Sequence, residues 1–269
     1  MLRRITNLAL MLVLLAGAGL FSQAGATPAD DKNYTAEQIV ENTIIIYGSR
    51  QGMAQVRRNG LERGRMTSVS DDGRSEEGTY ERRFLRGEST DKDKVRLDQK
   101  TPTQEYALVY NDGKTFGLLN QSPFTPRRDT ANGFLSQIWH GLDALLRYKE
   151  NGSTINMVGK DKQQNVDFYI IELTDKEKRQ TRYYISQRSL RVLWLEYEEP
   201  PAEGAQPVKY VRKFYDYQYI QGTLVPKRTV FFEDGKQKQE MRVLNIVYGA
   251  KMDESLFRNP EAQTSSATP

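Results

Sequence analysis

The sequence predicts an α+β protein: one large curved antiparallel sheet covered by helices. Turn signals such as Asn111-Asp112-Gly113, Gln221-Gly222 and Glu233-Asp234-Gly235 punctuate runs in which apolar and polar residues alternate. Two segments switch to helical spacing, one ahead of the strands and one among them. From Thr154 to Tyr248 the chain reads as strands nearly throughout. A sheet this large cannot stay flat and hide its apolar face, so it curls into a barrel or half-barrel. The two helices are its natural cover.

The chain begins with an address. Arg3 and Arg4 precede an apolar run from Leu8 to Phe21, which ends in Ala24-Gly25-Ala26. This is the pattern of a secretory signal peptide cleaved after Ala26. The run is shorter than the roughly 20 residues of a spanning helix. Gly17, Gly19 and Ser22 interrupt it further. No cysteine follows to carry a lipid, so the expected product is a soluble periplasmic protein from Thr27 onward. Its expected parts are one domain over residues 27–258 and a disordered Ser/Thr/Pro-rich tail over 259–269.

The elements then follow in order. Thr35-Ala36-Glu37-Gln38 has the form of a capping box, a hydroxyl and an amide three apart. Ile39, Val40, Thr43, Ile44 and Tyr47 recur at helical spacing behind it. The helix is expected over 36–56, broken or bent around Gly48 and Gly52. Strands are expected over 61–70, 78–86, 94–99, 105–110 and 115–120. Pro123 and Pro126 close a loop. A second helix is expected over 132–148, where Phe134, Leu135, Ile138, Trp139, Leu142, Leu145 and Leu146 form one apolar stripe. Seven further strands follow, over 154–160, 166–173, 181–186, 191–198, 208–220, 223–232 and 237–248.

Alternation assigns the faces of the last strands. Val211, Lys213, Tyr215, Tyr217 and Tyr219 share one side, opposite Tyr210, Arg212, Phe214 and Asp216. Val225, Lys227, Thr229 and Phe231 share a side of the next strand. The chain carries 15 Tyr and 10 Phe, many of them here. Tyrosine presents a flat apolar ring with one polar tip, which suits the rim of a greasy cavity.

Composition excludes several classes. The chain of 269 residues has no cysteine, which rules out disulfides, thiolate metal sites and cysteine nucleophiles. Its formal charge of +4 falls to +2 without Arg3 and Arg4. Basic and acidic residues interleave, as in Asp91-Lys92-Asp93-Lys94, so no single-sign stripe suits nucleic acid. His140 is the one histidine, expected half-exposed on a helix, and alone it makes neither a triad nor a metal site. Gly113-Lys114-Thr115 lacks the first glycine of a P-loop, because Leu108 stands in its place. Adjacent carboxylates such as Glu76-Glu77 point to opposite faces of a strand. No catalytic residue, cofactor or metal is expected.

Taken together, these features resemble the LolA-like outer-membrane lipoprotein-sorting proteins. The closest stretch runs from Phe214 through Tyr219-Ile220-Gln221-Gly222-Thr223-Leu224-Val225-Pro226 to Arg228: an aromatic strand, a turn glycine and a leucine–x–proline restart. Asp253-Glu254-Ser255-Leu256-Phe257 resembles that family's closing segment. The resemblance implies an unclosed barrel with a helical lid over an apolar cavity, and a carrier that ferries acyl chains of lipoproteins or lipids toward the outer membrane. An inner-membrane release complex and an outer-membrane acceptor are the partners it implies. It also implies a lid-holding arginine near the start of the sheet, for which Arg96 is the positional match. The expected cavity and lid residues are Ile39, Ile46, Phe134, Leu135, Ile138, Trp139, Leu142, Tyr215, Tyr217 and Phe231. The alternative is an envelope sensor or interaction module on the same fold, without enzymatic activity.

Overall fold

The structure is a computed structural model that describes residues 34–199 and 206–260. The signal peptide, most of the Pro200 to Pro207 loop and nearly all of the expected tail lie outside the described residues.

The first helical pattern folds as two helices, α1 (Ala36–Ile46) and α2 (Arg50–Val56). The capping box closes as expected. The Thr35 amide donates to Gln38 Oε1 at 2.9 Å, and the Gln38 amide donates to Thr35 Oγ1 at 3.2 Å. Gly48 breaks the helix with a φ of +124°, which few residues other than glycine adopt. Gly52, by contrast, sits inside α2.

Six strands follow: β1 (Asn59–Val69), β2 (Ser75–Leu85), β3 (Lys94–Lys100), β4 (Glu105–Asn111), β5 (Lys114–Leu119) and β6 (Ser122–Phe124). The last of these replaces part of the expected loop. Its Pro123 has no N–H to donate and is tolerated because β6 is an edge strand. The second helical pattern also divides, into α3 (Arg128–Trp139) and α4 (Leu142–Leu146), with the break at His140-Gly141. Seven strands complete the sheet: β7 (Thr154–Gln163), β8 (Val166–Thr174), β9 (Gln180–Ser186), β10 (Val192–Glu199), β11 (Val208–Ile220), β12 (Thr223–Glu233) and β13 (Lys236–Tyr248). Asp112-Gly113, Gln221-Gly222 and Asp234-Gly235 all have positive φ, as tight hairpins require.

All 13 strands form one antiparallel sheet, in the order β6-β5-β4-β3-β2-β1-β13-β12-β11-β10-β9-β8-β7. The first and last strands of the chain meet at its centre, where β1 pairs with β13. The edge strands β6 and β7 do not pair with each other, so the barrel is unclosed.

Two irregularities bend this sheet and re-aim its side chains. In β11, Asp216 has a φ of +54°. Phe214 before it and Tyr217 after it both pack on the core, although they are three residues apart. Tyr215 instead lies under the Arg228 guanidinium, 4.0 Å from its ring centre. Strict alternation, which places Tyr215 and Tyr217 together, fails at this residue. In β13 the pairing with β1 steps from Val243–Gly64 to Asn245–Arg63 and skips Leu244, which is 60% exposed. Met241 and Val243 before the skip, and Ile246 and Tyr248 after it, all face the same core cluster. The skip at Leu244 is a bulge, and a bulge increases local twist and coils a sheet inward. Two glycines of β1 allow the tight curve. A Cβ on Gly60 would overlap the Phe84 ring, and one on Gly64 would collide with the Tyr80 ring and the Arg242 carbonyl.

The inner face carries two clusters. Under α1 and α4, Ile39, Val40, Ile44, Leu145 and Leu146 pack on Ile171, Tyr183, Ile185 and Leu195 of β8, β9 and β10. Under α3, Phe134 and Ile138 pack with Val95, Leu97, Leu108 and Tyr110 of β3 and β4. A smaller cluster lies outside, where the 3₁₀ turn Glu254–Phe257 seats Phe257 against Ala107, Val109 and Leu118.

Candidate functional site

Where α3 and α4 meet the curved sheet, they leave a cavity of about 430 Å³. Its roof is formed by Gly133, Phe134 and Gln137 of α3 together with Leu142 and Asp143 of α4. Its floor is formed by Tyr80 and Phe84 of β2, Leu97 of β3, Leu108 of β4, Val225 and Phe231 of β12, and Met241, Val243 and Tyr248 of β13. The volume falls in the roughly 300–1,000 Å³ typical of small-molecule sites. About half of its lining is aliphatic or aromatic, and the rest is polar, with Arg57, Arg82, Arg86, Arg212, Glu62 and Asp143 supplying charge.

The helical cover is tied down by charge. Asp143 accepts from Arg86 Nη2 at 2.6 Å and from Arg57 Nη1 at 3.4 Å. Arg57 also donates to the Leu224 carbonyl at 2.9 Å and to Thr223 Oγ1 at 3.3 Å. Just past α4, Arg147 donates to both carboxylate oxygens of Asp93, at 2.7 and 3.0 Å, and to the Gly87 carbonyl at 2.8 Å. Burial works to raise the Asp143 carboxyl, but Arg86 and Arg57 outweigh it and hold the group well below the usual carboxylate range. One carboxylate thus fastens α4 to the end of α2 and the end of β2.

The far end of α3 is fixed differently. His140 is 4% exposed, not half-exposed as the sequence suggested. Its Nδ1 lies 2.6 Å from Thr181 Oγ1 of β9, and its ring stacks on Tyr197 of β10 with centres 4.0 Å apart. Burial, with help from the Arg212 and Arg179 cations, depresses its pKa to about 3, so the ring is neutral at physiological pH. Trp139 beside it lies under the Arg179 guanidinium, at 4.0 Å. Hence α3 spans the mouth of the half-barrel, its Phe134 on the β3–β4 wall and its His140 on the β9–β10 wall.

Three of the expected cavity residues line this space: Phe134, Leu142 and Phe231. Ile138, Leu135 and Trp139 belong to the packing of α3 on the sheet. Ile39 and Ile46 belong to the packing of α1. Tyr217 donates to the Val192 carbonyl at 2.6 Å and accepts from the Tyr47 hydroxyl at 2.8 Å, which pins α1 to β10 and β11. Tyr215 and Arg228 form their own pair away from the cavity. Arg96 alternates with the inward Val95 and Leu97 and therefore faces outward. There it donates to Asp98 at 2.7 Å and to the Leu256 carbonyl at 3.2 Å, holding the C-terminal 3₁₀ turn. The arginines that pair with Asp143 of α4 are Arg57 and Arg86.

Two arginines in the cavity were not picked out by the sequence. Arg212 of β11 is 7% exposed, and Arg82 of β2 is half-buried. Both line the cavity. Each guanidinium lies over a ring, Arg212 at 5.6 Å from the centre of Phe231 and Arg82 at 5.3 Å from that of Phe84. Neither has a carboxylate partner among the described residues. Burial lowers the Arg212 pKa, and the Arg82 cation pushes the same way. Glu62, the acid nearest to Arg82 in register, instead accepts from the Tyr80 hydroxyl at 2.7 Å. Alternation in β11 already set Arg212 beside Tyr210 and Phe214 and opposite Tyr215, Tyr217 and Tyr219; what it lacked was the direction of the fold. Among the described residues, no group of three or more His, Asp or Glu could hold a metal ion.

No family model matches the chain, and no curated protein matches its sequence. Solved structures do match its fold. A LolA superfamily protein from Nitrosomonas europaea is 12% identical, with 84% of this chain and 98% of that one covered and a TM-score of 0.57. A DUF1329 family protein from Desulfovibrio piger is also 12% identical, over 82% of this chain and 98% of the other, at a TM-score of 0.58. A domain named for outer membrane lipoprotein sorting, from Vibrio parahaemolyticus, is 14% identical over 81% and 97%, at 0.54. The sheet is an unclosed antiparallel half-barrel with helices over its inner face, as the sequence led one to expect, and with these matches the chain has the LolA-like fold.

Proposed function

We propose that this protein is a periplasmic carrier that holds an acyl chain of a lipoprotein or lipid in the cavity beneath α3 and α4. The observation that carries the proposal is the cavity itself: a space of about 430 Å³, with Tyr80, Phe84, Leu97, Leu108, Val225 and Met241 on its floor and a charge-fastened helical segment as its roof. Each methylene buried there contributes about 0.8 kcal/mol, so a tail of ten offers about 8 kcal/mol before the costs of association. Binding of this kind needs only a greasy chain of suitable length. The likeness to a LolA superfamily protein and to a domain named for lipoprotein sorting supports the same reading.

The N-terminal pattern supports export, and no helix among the described residues is long and apolar enough to cross a membrane. In this reading the carrier takes cargo at an inner-membrane release complex and hands it to an outer-membrane acceptor. No residue is given a catalytic role. Native mass spectrometry of protein purified from the periplasm is the test. An adduct of lipid mass that delipidation removes and a lipopeptide or fatty acid restores is the expected result. A clean apo mass with no uptake of either would reject the proposal.

A further inference from the structure

The cavity holds two cations that form no ion pair among the described residues. Arg57 and Arg86 share Asp143, but Arg82 and Arg212 have no carboxylate of their own among the described residues. A buried, unpaired guanidinium is costly, and replacing such a group by an apolar side chain of similar volume is often neutral or stabilising. Arg212 makes no ion pair among the described residues, and its guanidinium lies over the Phe231 ring. Its side chain lines the cavity. Arginine presents five donors in a rigid planar fork that matches the oxygens of a carboxylate or phosphate. Beside these cations lie Phe84, Leu108, Phe134, Val225 and Phe231, so the complementary ligand is an anion at one end and a hydrocarbon at the other.

We propose that the cavity selects an anionic amphiphile, its carboxylate or phosphate head seated on Arg212 and Arg82 and its tail on the apolar wall. This rests on the carrier reading and narrows it: the head group, and not the tail alone, is read. The acids among the described lining residues are Glu62, which accepts from Tyr80, and Asp143, which pairs with Arg57 and Arg86; neither forms an ion pair with Arg82 or Arg212. Burial together with the mutual repulsion of the two guanidinia leaves Arg212 seeking an anion.

Isothermal titration of delipidated protein with dodecanoate, dodecyl phosphate and dodecanol, three ligands with one tail, tests this. Short acetate and inorganic phosphate serve as tail-free probes. The expected result is that both anionic ligands bind about tenfold or more tighter than the alcohol, as a charge-assisted hydrogen bond implies. In Arg212→Met that preference disappears while dodecanol binding is kept, and the apo protein melts at the same or a higher temperature. Arg82→Met provides a second variant, should the first fail to fold. Equal affinity for acid and alcohol in the wild type would overturn the proposal and leave the carrier reading intact. Inorganic phosphate binding as tightly as dodecyl phosphate would overturn it in favour of a plain anion site. Failure of every dodecyl ligand to bind would overturn both readings.

Discussion

Replacing Asp143 with asparagine tests how the helical cover is held. The substitution keeps shape and removes the charge. It leaves Arg86 and Arg57, whose side chains are 9% and 8% exposed, without their shared carboxylate. Breaking a buried ion pair from one side costs about 3–5 kcal/mol. The Asp143 side chain is itself 33% exposed, toward the cavity, so the lower end applies, about 3 kcal/mol. With a urea dependence of about 2–3 kcal/mol per molar, the unfolding midpoint drops by roughly 1–1.5 M at pH 7. Amide exchange over 128–148 accelerates in the variant under native conditions, because α4 has lost its tie to α2 and β2. Adding Arg86→Met recovers part of the loss, since the stranded cation goes too. An Asp143→Asn protein with the wild-type midpoint and wild-type exchange over α3 and α4 would refute the clamp.

Two further predictions concern the fit of the cover and the curve of the sheet. The His140 ring is neutral in the folded protein with a pKa of about 3, whereas in the unfolded chain it takes a proton near 6.5. Its contribution is therefore full above pH 6.5 and is lost as pH falls toward 3, amounting to about 2 kcal/mol at pH 5. The depressed carboxyl of Asp143 acts in the same direction, but only below the ordinary carboxylate range. Denaturant curves of His140→Gln at pH 7 and pH 5 are expected to differ less than those of the wild type by about that amount; identical differences would contradict it. Gly64→Val drives a side chain into the Tyr80 ring and the Arg242 carbonyl at the bulge, at an expected cost of about 3 kcal/mol. A thermal melt at the wild-type temperature would show that the curve of β1 does not depend on that glycine.

Local chemistry made the elements legible and long-range geometry hid the site. Asp112-Gly113 and Asp234-Gly235 name their own turns, because only a few residues accept those backbone angles. Thr35 and Gln38 announce α1 for the same local reason. The faces were harder. Asp216 and Leu244 each add an offset that no alternation count reveals, so Tyr215 and Tyr217 part company and Met241 joins Tyr248. Pro123 concealed β6, since proline argues against a strand except at an edge, and the edge is a property of the finished sheet. The cavity itself required residues 57, 86, 143 and 212 to meet. Arg96, chosen by position along the chain, occupies the opposite face of the same strand pair. Arg82 and Arg212 sit among many interleaved charges in sequence, and only the fold separates the paired from the unpaired.

The central claim is that a hydrocarbon tail lies in the space between α3, α4 and the inner face of the sheet. Photocrosslinking tests it most directly, using a dodecanoic acid analogue that carries a diazirine midway along its chain, with labelled sites read by peptide mass spectrometry. The account predicts labels on the segments containing Phe134, Phe231 and Met241, with competition by unlabelled dodecanoate. Labelling confined to exposed outer-face residues such as Leu244 and Val247, or labelling that dodecanoate does not displace, would contradict it.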